Sequence, residues 1–61
     1  METSEFEVTG EPEVLNSMLK NMPKITISER WSNRNWNVLV PLDNNDFEDW
    51  CEDNKVEYKM V

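Results

Sequence analysis

Every periodic segment of this sequence has a single apolar side, which restricts the fold to layers that share one buried face. Glu5, Phe6, Glu7, Val8 and Thr9 alternate with the period of a strand, with Phe6 and Val8 inward and Gly10 ending the run. From Glu11-Pro12-Glu13 the period becomes helical. Pro12 suits a first turn, and the two acids sit where the helix dipole favours negative charge. Val14, Leu15, Met18, Leu19 and Met22 then form one stripe, Lys20 and Lys24 fall near the C-terminal end, and Pro23 stops the helix.

Alternation returns after the helix. Ile25, Ile27 and Trp31 share the inner face of a second strand, with Thr26, Ser28 and Arg30 on the other side. Glu29 is the odd polar member of that inner face, which a bulge or the end of the strand would explain. Ser32 to Asn35 reads as a four-residue polar turn. A third strand resumes with Trp36, Val38 and Val40 inward and Asn37 and Leu39 outward, and Pro41-Leu42 leaves the sheet. Asp43, Asn44 and Asn45 offer N-caps, and Asn45 to Glu48 has the spacing of a capping box. The helix they open carries Phe47, Trp50 and Cys51 as its apolar stripe and ends near Asn54. Val56, Tyr58 and Met60 alternate with Glu57 and Lys59 in a fourth strand.

The order β-α-β-β-α-β predicts an α+β fold, a small ferredoxin-like sandwich in which a four-stranded antiparallel sheet carries two helices on one face. Its usual strand order is 4-1-3-2. The second helix is barely two turns long, so a variant with a frayed second crossover is the alternative. A chain of 61 residues has room for one domain, spanning residues 1–61. Such a domain buries only about 60% of its unfolded surface, so its stability is expected to be modest.

Thirteen acids against six bases give a net charge of -7, which repels phosphates and anionic membranes and makes direct nucleic-acid or membrane binding an unfavourable reading. The first residues lack a basic and an apolar leader region, and no apolar run approaches the roughly 18 residues of a membrane span. A single cysteine, Cys51, makes no internal disulfide and fits a reducing compartment, so a cytoplasmic protein is expected. The chain has no His, Ala or Gln but eight Asn, a bias that fits an A/T-rich coding source such as a virus, a phage or a low-GC bacterium.

Catalysis is not the expectation. With no His, the usual base near neutral pH is missing, and Cys51 lies among acids that oppose its ionisation. Burial as a small core residue is the expected role of Cys51. The run from Asp43 to Glu48 resembles a calcium loop only superficially: counted from Asp43, the EF-hand positions 5, 6 and 12 are Phe47, Glu48 and Asn54. No metal or cofactor is expected. The parity above places Phe6, Trp36 and Tyr58 under the helices, leaving no aromatic platform for RNA bases on the open sheet face.

Two features remain for recognition. Residues 43–53 hold six of the thirteen acids and no Lys or Arg, and Glu48, Asp49, Glu52 and Asp53 form a stripe opposite Phe47, Trp50 and Cys51. Such a stripe is either a solvated face or an imitation of a line of phosphates. Trp31 and Trp36 flank the hairpin turn beside Arg30 and Arg34, either extending the core or forming an aromatic hot spot. The expected function is a small non-enzymatic inhibitor or regulator that occupies the basic surface of a nuclease, toxin or nucleic-acid-binding factor. Glu48, Asp49, Glu52 and Asp53 would supply charge, and Trp31, Trp36 and Arg34 the anchor. The alternative is a structural protein that self-associates, as a homodimer or in a larger assembly, through a sheet edge or the Trp31/Trp36 tip.

Overall fold

A computed structural model describes residues 2–61 and has the element order expected: β1 (Thr3–Thr9), α1 (Pro12–Asn21), β2 (Thr26–Ser32), β3 (Asn35–Pro41), α2 (Phe47–Asp53) and β4 (Glu57–Met60). The sheet order is β2-β3-β1-β4 with every neighbouring pair antiparallel, which is the ferredoxin-like layout. Strand parity sends Phe6, Val8, Trp36, Val38 and Val40 to one face. Leu15, Met18 and Met22 of α1 and Phe47 and Cys51 of α2 join them there in one core with Ile25 and Val56. Phe6 and Phe47 pack with ring centroids 4.9 Å apart, and Tyr58 meets both edge-on at 6.4 and 5.8 Å. This aromatic group ties β1, α2 and β4 together.

The largest departure from expectation is in β2. Ile27 pairs with Val38, but Glu29 pairs with Asn37 and Arg30 with Trp36, and Ser32 then pairs with Asn35. Ser28 and Trp31 are therefore extra residues, each opposing no partner of its own, and each shift reverses the inward-outward alternation. The expectation that Trp31 lies inward and Arg30 outward is overturned. Glu29 reaches the solvent face opposite Asn37. Arg30 turns to the helix side, its guanidinium carbon 4.6 Å from the centre of the Trp36 ring, in cation–π contact.

Smaller corrections concern the turns. The hairpin loop is the two-residue Asn33-Arg34 and not four residues, and Pro41 stays in β3 opposite Thr3. The caps expected at Asp43, Asn44 and Asn45 do not form. Asn44 donates its N–H to the Pro41 carbonyl (3.0 Å) in a turn, and the helix begins only at Phe47. Its cap position is Asp46, whose φ of -86° and ψ of -9° are already helical, and its carboxylate caps nothing. A cap side chain needs extended backbone at that position to reach back to the first N–H groups.

The other end of α2 is closed firmly. Val56 N–H donates to the Cys51 carbonyl (2.8 Å) and Lys55 N–H to that of Glu52 (3.4 Å), the pair of bonds of a Schellman motif. Lys55 takes a φ of 60°, the left-handed position usually held by glycine. We predict that Lys55→Gly is more stable than Lys55→Ala by about 1 kcal/mol. Both variants remove the charge, so urea midpoints of the two isolate the backbone effect, and an Ala variant equal to or better than Gly contradicts the assignment.

Candidate acidic recognition surface

The six acids of residues 43–53 are all exposed. Among the described residues the ion pairs within 4.0 Å are Arg34–Glu11 (3.6 Å) and Lys59–Glu7 (3.5 Å), so no carboxylate of this segment meets a cation. The stripe expected on α2 is present because Phe47 and Cys51 are buried and fix the roll of the helix. At about 100° per residue, Glu48, Asp49, Glu52 and Asp53 spread over roughly 140° of the opposite side. Its two flanks face different neighbours. Glu52 accepts a 2.9 Å hydrogen bond from the Tyr58 hydroxyl of β4, whereas Asp49 and Asp53 border a hollow shared with Asn21 and Met22 at the end of α1.

The other expected site residues are not gathered with this stripe. Trp36 is buried in the core at 2% exposure and is unavailable to a partner. Trp31 is 61% exposed, but on the opposite face of the sheet, where its indole N–H donates to Asn37 Oδ1 at 3.1 Å. Asn37 in turn donates to Glu5 Oε2 at 3.1 Å, which fixes the indole over the open face. The Trp pair across the hairpin mouth is thus absent, because the first bulge, at Ser28, exchanges the faces of the residues after it and places Trp31 opposite to Trp36. Arg34 is exposed and pairs with Glu11, and Arg30 stacks on Trp36, so the tip is not the basic aromatic patch that composition implied.

The open sheet face also differs from expectation. It carries one aromatic side chain, Trp31, among a ladder of polar cross-strand contacts. Asn35 Nδ2 donates to Glu7 Oε2 (3.0 Å) and Thr9 Oγ1 (3.3 Å), parallel to the Asn37–Glu5 contact. This structural use of Asn was not legible from its abundance. The Asn35 hydrogen bond, with help from Lys59 and against partial burial, holds the Glu7 carboxyl below its usual range. A hollow of about 520 Å³ beside it is lined by Glu7, Glu57 and Lys59. Glu7 there is a stabilised carboxylate, the opposite of a general acid whose pKa is raised towards neutrality.

Cys51 lies in the core, where burial first and then Glu48 and Glu52 push its thiol up to about 12. That is the reverse of what an activated nucleophile needs. Comparison with protein-family models, with curated proteins and with solved structures finds no match.

Two raised values give a test of this region. The Tyr58 hydroxyl is pushed up to about 12, first by its hydrogen bond to Glu52, then by partial burial and the charges of Glu52 and Glu48. The ordinary values for Cys and Tyr are 9.0 and 10.0, so between these and about 12 the unfolded chain loses protons that the folded chain retains. Stability is therefore complete below about pH 9 and falls as pH rises towards 12. Urea midpoints from about pH 8 to about pH 11 should decline, and Tyr58→Phe should flatten the decline; a Tyr58→Phe profile as steep as the parent contradicts the Tyr58–Glu52 hydrogen bond.

Proposed function

We propose that the protein is a non-enzymatic binding protein of the cytoplasm, a small inhibitor or regulator that occupies the basic surface of a partner macromolecule through α2. One observation carries the reading: six exposed carboxylates lie on one short segment, four of them on a helix whose roll is locked by Phe47 and Cys51, and among the described residues no cation pairs with any of the six. A fixed row of uncompensated charge raises the association rate with an oppositely charged surface and fixes register more than it adds affinity. Nucleases, toxins and nucleic-acid-binding factors are the partner classes proposed, and the Asn-rich, Ala-free composition fits a virus or phage as the source of such an antagonist.

The alternative, self-association through a sheet edge, draws less support from the same geometry. The β2 edge carries two register shifts, which disrupt the row of backbone groups that a second strand would need. The β4 edge is four residues long and carries Lys59, and pairing two copies along it would bring two acidic helices together.

The test is affinity capture from cell extract with the protein as bait, alongside a variant with Glu48→Gln, Asp49→Asn, Glu52→Gln and Asp53→Asn. The predicted result is a basic partner whose affinity falls by about tenfold or more in the variant and drops steeply with salt. A partner held equally by the variant and insensitive to salt overturns the reading.

A further inference from the structure

The acidic surface has an apolar socket at one end. Beside the start of α2 a hollow of about 270 Å³ opens between the end of β3 and β4, with Phe6 and Phe47 at its base and Leu42 and Met60 as walls. Leu42 is 57% and Met60 67% exposed, whereas Phe6 and Phe47 are at 7% and 2%, so the hollow is a dent in the core flanked by two apolar side chains that have no cover. Asn45 and Glu48 complete its rim, and Glu48 also belongs to the acidic stripe. Socket and stripe are therefore one continuous surface.

We infer that this socket receives one apolar side chain of leucine, isoleucine or methionine size, carried on a Lys- or Arg-rich segment of the partner. The inference rests on the proposed binding of a basic partner and specifies what that partner must present. Three observations select this occupant. The volume lies below the roughly 300 Å³ at which pockets for whole small-molecule ligands begin, which suits a single side chain. The one carboxylate at the rim, Glu48, runs on into the acidic stripe of α2, so charge complementarity favours cationic flanks and opposes a second copy of this chain or an anionic lipid surface. An apolar anchor in a pocket ringed by polar contacts is also the usual arrangement of an interface hot spot. Trp31 cannot serve as that anchor, since it stands on the far face of the sheet.

The test uses two synthetic probes, a short Lys/Gly peptide with one central leucine and the same peptide with serine at that place. Both are titrated into the protein by NMR at low salt. The leucine peptide should bind about tenfold more tightly, the effect of burying most of one leucine side chain, and should shift the resonances of Phe6, Phe47, Leu42 and Met60. The exposed substitutions Leu42→Ser and Met60→Thr should remove that advantage while leaving the serine peptide's affinity unchanged. Equal binding of the two peptides overturns the socket and leaves the acidic reading standing. Binding of neither peptide overturns both. A sedimentation shift from dimer to monomer in the Leu42→Ser, Met60→Thr variant would show that a second copy fills the socket, and would also overturn the inference.

Discussion

The register shift at Ser28 in β2 is the constraint on which the surface of this protein depends. Side-chain direction in a strand has a period of two, so one extra residue exchanges the two faces for everything that follows. Without it, Glu29 would point towards the helices and Arg30 away from them. With it, Glu29 stands opposite Asn37 in solvent and Arg30 lies on Trp36, closing the core at the hairpin end with a planar cation and not a carboxylate. The same shift sends Trp31, the residue after Arg30, onto the polar ladder of the open face, and the second shift keeps Ser32 on that face opposite Asn35. One short irregularity thus gives Trp31 and Trp36 opposite roles.

On the helix side, the aromatic group of Phe6, Phe47 and Tyr58 places α2 across β1 and β4 and so sets where its charge points. Burying Phe47 and Cys51 turns the carboxylates outward, and the Schellman bonds after Asp53 hold the end of the helix while its start has no side-chain cap. The start of α2 is also where Leu42 and Met60 stay uncovered. Charge and exposed apolar surface therefore meet at the end of the helix that has no side-chain cap.

Much of this was legible from residue pattern. The stripe of α1, the inward set on β1 and β3 and the order of elements follow from periods of two and 3.6, because each element has one side to bury. The acidic stripe of α2 followed from the same rule. What pattern did not reveal is local and backbone-determined. A bulge is set by how β2 meets β3, and Glu29 was its only trace in sequence. The late start of α2 depended on Asp43 to Asp46 being taken up in turns, which cap-forming residue types alone do not reveal. The socket joins side chains from opposite ends of the chain, Phe6 with Met60, and no spacing brings those together. Pattern puts Asn35 in the hairpin turn and Asn37 on the outward side of β3, but no spacing reveals that each bonds to a carboxylate on the neighbouring strand.

The most direct measurement of this account is the set of proton–proton nuclear Overhauser contacts of the Trp31 indole in solution. The account predicts contacts from its ring N–H to the Asn37 side-chain amide, and none to the methyl groups of Val38, which lies on the buried face. Contacts between the Trp31 ring and Val38 or Trp36 would restore unbroken alternation in β2, and would contradict the separation of Trp31 from the helix-side surface.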